Sequence, residues 1–335
     1  MVEARPGTAS VTERIRPVAA DAPVVAVHFL EDTCCFVLGE EHVLLAPPDG
    51  EPQRLLVHSG GVLAIAADNE RVVTAGDDGK VVATNAQGHT RTLVTDPKRR
   101  WIDRVAAGPE GAIAWSVAKT VFVQTANRQE KTIELPSSVG GLSFAPRGFR
   151  LAVGHYNGLT LWFPNAKAAP ERFEWKGSHL DVTFSPDGKF LVTAMQEPTL
   201  HGWRLADRKD MRMSGYAAKV RSFSWSHDGK WLATSGADQL VLWPFQGKDG
   251  PLGKTPKLFA PYEHAVAVVA CHPAQDVVAA GYQDGMVLLV RVEDGAEILA
   301  RAPGAGPVAA LAWDSSGTLL AFGTEEGEAG IIDLS

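Results

Sequence analysis

An all-β fold, one closed ring of eight four-stranded blades over residues 1–335, is what this sequence predicts, on three observations. A strand–turn–strand phrase returns along the chain, most clearly as FSPDGKFLVTA (184–194), WSHDGKWLATSG (225–236), FAPRGFRLAVGHYNGLTLW (144–162) and WDSSGTLLAFGTEEG (313–327). Aligned on the end of the third strand, the copies fall at Leu45, Ala83, Val123, Trp162, Trp203, Trp243, Leu289 and Ile331, between 38 and 46 residues apart. Four strands of about 5–6 residues with their turns need that much chain. No stretch sustains a 3.6-residue apolar period, so helices should be nearly absent. A period of about 40–45 residues carrying four short strands is the mark of a β-propeller blade. Seven blades is the alternative count, with the weak copies at 24–46 or 104–125 standing outside the ring.

Within each copy the strands are named a to d from the axis outward. The fifth copy serves as template: strand a at 181–185, the Pro186-Asp187-Gly188 turn, strand b at 190–194, strand c at 200–204, and strand d around Arg212. Proline presets one backbone angle of such a turn and glycine tolerates a positive φ, so this is turn chemistry. Asp78-Gly79, Asn157-Gly158 and Asp284-Gly285 stand between strands b and c, where two-residue hairpins favour these pairs. The one long spacing, between Trp243 and Leu289, holds an insertion with Lys248 and Lys254 expected at the ring's outer edge. The eighth copy supplies strands a, b and c (308–313, 318–323, 329–334) but no strand d. The spare segment 11–18 is expected to pair with 329–334, closing the last blade and covering its open edge. Residues 1–10 are expected to be flexible.

Composition narrows the function. The chain is 45% hydrophobic and 21% charged, with a net charge of −7. No basic stripe is available to release counterions from phosphates, so no nucleic-acid partner is expected. The first 23 residues lack an apolar core for a secretory signal, and no apolar run is long enough to span a bilayer. Cys34, Cys35 and Cys271 form no CxxC pair and are expected to be reduced. These features together predict a cytoplasmic protein with no membrane contact, monomeric on its own.

The phrases FSPDG, WLATSGAD and LVLW, in order within 184–243, make the chain similar to the WD-repeat propeller family along nearly its whole length. The naming dipeptide is missing: the strand-c tryptophans are followed by Phe163, Arg204 and Pro244, and five copies lack the tryptophan. His58, His179 and His264 stand near the position of the family's histidine without its preceding glycine. The resemblance implies a His–Asp–Ser/Thr–Trp network in well-formed blades. The nearest match is the sixth copy, with Ser235, Asp238 and Trp243, and Tyr216 in the histidine's place. No copy is expected to complete the network, which leaves stability to apolar packing between blades. The resemblance also implies a non-catalytic platform that binds other proteins.

The motifs of nucleophilic, metal-dependent and nucleotide chemistry are absent, and no cofactor, metal or catalytic residue is expected. His227, Cys271 and His272 read as solvated turn residues, and the run Lys98-Arg99-Arg100 reads as a solvated loop. One pattern stands out. Tyr156 and Tyr282 lie at b–c turns, and Tyr216, Tyr262 and Trp101 in d–a loops, which leave a propeller at the same face. Tyrosine and tryptophan dominate interface hot spots. Trp101, His155, Tyr156, Tyr216, Tyr262 and Tyr282 are therefore the expected partner-binding residues, largely solvent-exposed. Arg99, Lys219, Arg221, Asp284 and Glu325 would orient the partner. The alternative is a small-ligand or catalytic site at the axis, for which His155, Asp77 and Glu197 are isolated candidates.

Overall fold

The computed structural model describes residues 9–335, where the chain is all β apart from two three-residue 3-10 turns. The strands form seven hydrogen-bonded sheets, one of them six-stranded. That sheet holds two successive repeats joined through Glu171–Phe184, which serves the fourth repeat as strand d and the fifth as strand a. The eight predicted repeats thus occupy seven sheets. Within a repeat the neighbouring strands pair antiparallel, as in Val62–Ala67, Arg71–Gly76, Lys80–Asn85 and Thr90–Thr95. In the fourth repeat Leu151–Trp162 carries strands b and c through the Asn157-Gly158 turn, where both residues have positive φ.

The chain clusters into two compact units, residues 1–55 with 216–335, and residues 56–215. In both, the core lies between neighbouring repeats. In the first unit Leu240, Leu242, Val269, Tyr282 and Leu288 join the sixth repeat to the seventh, and Val18, Val27, Phe36, Ala321 and Ile331 join the eighth to the first. In the second unit Val73, Val81, Ile113 and Trp115 join the second repeat to the third, and Leu159, Leu161, Leu191 and Trp203 the fourth to the fifth. Alternate strand residues face opposite neighbours, so central strands such as Thr33–Leu38 are buried along their whole length.

The eighth repeat is completed from the other end of the chain. Ile15–Ala19 pairs antiparallel with Glu328–Asp333, with Ile15 opposite Ile332 and Ala19 opposite Glu328. The strand starts at Ile15 and not at residue 11, because Thr12–Arg14 forms a 3-10 turn. Ahead of that turn Ala9 and Ser10 pair in parallel with Ile298 and Leu299 on the seventh repeat. Of the segment expected to be flexible, residues 9 and 10 are thus in a strand and residues 1–8 lie outside the described chain. Arg301 links the seventh and eighth repeats: its buried guanidinium donates to the Gly285 carbonyl and to the Glu328 carboxylate and lies 5.0 Å from the Phe322 ring centre.

Candidate partner-binding face

The six residues expected at the loop face divide sharply by burial. Trp101 is 67% exposed and Tyr156 57% exposed. Trp101 follows the basic run in the d–a loop after the second repeat, and Tyr156 sits on the b–c turn of the fourth. Both belong to the unit of residues 56–215.

The expected exposure of Tyr216, Tyr282 and His155 is corrected by the structure, since all three are buried. Tyr282 is 0% exposed, and its hydroxyl donates to the Ala260 carbonyl at 2.8 Å. The Tyr216 hydroxyl accepts the Trp243 indole N–H at 2.7 Å and lies 2.7 Å from the Thr234 hydroxyl. His155 ends strand b, where its ring reaches Thr160 and the Tyr156 carbonyl, each at 2.9 Å. A tyrosine beside a loop can fold back over the end of the core and satisfy its hydroxyl on backbone or a strand hydroxyl, which combines apolar burial with a met polar group. Tyr262 is half-buried, edge-on to Tyr282, with its hydroxyl donating to Asp284 at 2.9 Å.

The same end of the sheets carries polar locks that the sequence reading missed. His58 bridges Asp78 (3.0 Å) and Thr74 (2.9 Å), which are three members of the network expected to be incomplete everywhere. His179 bonds Thr193 at 2.7 Å, and its other nitrogen reaches the Trp175 carbonyl at 3.1 Å. In the sixth repeat the strand-b hydroxyl that meets Tyr216 is Thr234, not Ser235, which instead accepts the N–H groups of Arg221 and Ser222, and the Trp243 indole reaches the Tyr216 hydroxyl directly. The signal was the strand-b threonine 14 to 18 residues after a histidine or tyrosine, at pairs 58/74, 179/193 and 216/234. His272 is likewise buried and not a solvated turn residue: it bonds the Gly317 carbonyl and accepts the N–H groups of Ala274 and Gln275.

Each unit has a concavity. One of about 390 Å³ is lined by Tyr156, Trp175, Lys176, Met195, Glu197 and Arg212, among others. The other, of about 570 Å³, is lined mostly by alanine, valine and serine, with Lys219, Arg221, Gln283 and Glu325. The second brings together three of the charges expected to orient a partner. Its two serines, Ser222 and Ser235, are engaged with backbone groups, and its lining contains no histidine or cysteine.

Among the described residues, one group of side chains has the mutual spacing of a metal site, His227, Asp228 and Asp276. All three are exposed, and Asp228 is held by Lys230 at 2.8 Å and by Ser226 at 2.8 Å. Lys230 and Ser226 thus already occupy its carboxylate. The cysteines are free thiols, and burial pushes Cys34 up and Cys35 to about 12, so neither supplies a thiolate nucleophile.

Comparison with known proteins agrees with this architecture. The family model for the WD40 domain of anaphase-promoting complex subunit 4 matches residues 264–335, and that for the WD domain, G-beta repeat, matches residues 209–243. A subunit of eukaryotic translation initiation factor 3 from Xenopus laevis is 28% identical over 170 residues, 47% of this chain and 23% of that protein. WD repeat-containing protein 1-B of Xenopus laevis is 34% identical over 77 residues, 22% of this chain and 13% of that protein. The chain thus spans less than a quarter of the length of these relatives. A crystal structure of the computationally designed Ika8 protein superposes with a TM-score of 0.77, covering 98% of this chain and 100% of that one at 15% identity. At that identity the likeness concerns the fold alone.

Proposed function

Because the chain belongs to the WD-repeat β-propeller family, we propose that it is a non-catalytic scaffold that holds a protein partner against the loop end of its sheets. The observation that carries this reading is the exposure of Trp101 and Tyr156, the two aromatic side chains among the exposed large hydrophobic residues. Leaving two large rings in water forgoes about 1.5–3 kcal/mol of burial each, which a partner recovers by covering them. Within the same unit the exposed Arg99, two residues from Trp101, would orient that partner. No described helix is long and apolar enough to cross a bilayer. A cytoplasmic location fits three free cysteines, and fractionation of source cells reads it directly.

A small-ligand role has one observation in its favour. The 570 Å³ concavity falls within the usual range of ligand pockets, about 300–1,000 Å³. Its lining offers two cations and one carboxylate but no nucleophile with a neighbouring base, so catalysis is the weaker reading.

Photo-cross-linking tests the proposal. A benzophenone side chain placed at position 101 or 156 should capture a discrete protein from source lysate. The same group at Lys189, in an a–b turn at the opposite end of the strands, should not. Equal capture at Lys189, or none at 101 and 156, rejects the assignment.

A further inference from the structure

The loop joining the second repeat to the third presents five consecutive exposed residues, Pro-Lys-Arg-Arg-Trp at 97–101, between the buried Asp96 and Ile102. This basic run, read from sequence as a merely solvated loop, is fixed from inside. The Asp96 carboxylate accepts the backbone N–H groups of Lys98 (2.9 Å) and Arg100 (3.1 Å) and takes the Arg100 guanidinium at 2.7 Å. Asp96 N–H donates to the Gly79 carbonyl (2.8 Å), Arg99 N–H to the Asp96 carbonyl (2.9 Å), and Ile102 N–H to the Gly76 carbonyl (3.2 Å). Gly79 has a φ of +76°, and a Cβ there would stand 2.9 Å from the Arg99 Cα, so the b–c turn is pressed against the loop. The adjacent Asp78 is itself anchored through His58 to Thr74.

What this scaffold holds outward is specific. Arg99 has a φ of +51°, a left-handed conformation that costs a residue with a side chain free energy and persists because the surrounding bonds impose it. Arg100 is neutralised by Asp96, whereas Lys98 and Arg99 have no ion pair among the described residues. Trp101, beside them, is the most exposed of the large hydrophobic side chains among the described residues.

We propose that loop 96–102 is a preformed docking finger for an acidic segment of a partner protein, in which carboxylates flank an apolar side chain. This rests on the protein-binding reading above and names the chemistry of the partner. Arginine and tryptophan are the residues that anchor interfaces, and a loop already ordered before contact forgoes little entropy on binding. The finger is positive on a chain of net charge −7, so an acidic partner is steered to it and repelled elsewhere. The same net charge disfavours a polynucleotide, which must lay many phosphates along the surface and not only two beside one ring.

The test uses the whole chain and a fluorescein-labelled twelve-residue peptide of glutamates around a central phenylalanine. Saturable binding is expected, weakened at least tenfold by Lys98→Glu with Arg99→Glu, several-fold by Trp101→Ala, and also by Asp96→Asn, which loosens the loop without removing a contacting group. Thermal stability should be retained in the first two variants. Unchanged affinity in the charge-reversed variant overturns the finger, as does tighter binding of a twelve-nucleotide single strand, or self-association that the peptide fails to displace. Cross-linking from position 156 that survives in the charge-reversed variant, together with absent peptide binding, rejects the finger alone. Loss of capture at every position rejects the broader reading as well.

Discussion

His201 is fully buried, and neither ring nitrogen has a hydrogen-bond partner among the described residues. Its ring stacks on Trp175 at 4.0 Å and meets Trp203 edge-on at 4.7 Å, and the Asp210 carboxylate stands 3.6 Å from Nε2. Burial, with the charges of His179 and Arg212 adding to it, lowers its pKa to about 3. The unfolded chain takes up this proton near pH 6.5 and the folded chain only near 3. Stability from His201 is therefore complete above about 6.5 and declines as pH falls towards 3. His201→Phe keeps the ring and removes the titration, so it should leave stability at about pH 7.5 nearly unchanged and flatten the fall between about pH 6.5 and 4. Urea midpoints measured across that range check this, and parallel slopes for the two proteins would contradict it. Residues of this kind were the least legible in the sequence. Five of the ten histidines are buried, because each finds a threonine, a backbone carbonyl or a ring whose position only the folded strands define. Tyr216 and Tyr282 were misplaced for the same reason, since a loop tyrosine looks the same in sequence whether its ring turns outward or inward.

At the scale of the element, strands, turns and repeat order were legible because alternation and Asp-Gly or Asn-Gly turns are local signals. Register and its irregularities were not. Strand a carries a register shift near its start in five repeats, at Val24/Ala26, Val62/Ala64, His179/Asp181, Val266/Val268 and Val308/Ala310. Such bulges twist a strand end and re-aim its side chains, and no residue type marks them here. Fusion of the fourth and fifth repeats through Glu171–Phe184 likewise depends on Gly177, whose φ of +106° lets the chain run from one repeat to the next. The closing strand was foreseen, although its start and the extra parallel pairing of Ala9 and Ser10 were not. Deleting residues 1–20 removes both pairings and uncovers the edge of Glu328–Asp333. The melting temperature should fall by several degrees and the protein should associate, whereas deleting residues 1–11 should have the smaller effect. An unchanged melting temperature and a clean monomer after the longer deletion would show that Ile15–Ala19 does not hold the blade. We propose that all eight repeats close into one domain, in which case the longer deletion shifts a single unfolding transition and does not split it.

For the whole molecule, the repeat period and the charge balance carried most of what the sequence disclosed: an all-β propeller, acidic, with its apolar residues between repeats. Its working surface was legible in part. Trp101 and Tyr156 stand exposed on the loops where aromatic residues were expected, while the buried tyrosines hold the ends of the sheets together. The central claim is this division of labour, and one paired measurement tests it. Affinity for the cross-linked partner and melting temperature are determined side by side for Trp101→Ala, Tyr156→Ala, Tyr216→Ala and Tyr282→Ala. The first two should each lose about 1–2 kcal/mol of binding or more with little change in stability. The last two should lose a few kcal/mol of stability, through an emptied core site and an unmet polar partner. Wild-type affinity in both Trp101→Ala and Tyr156→Ala, or lost binding at unchanged melting temperature in Tyr282→Ala, would contradict the account.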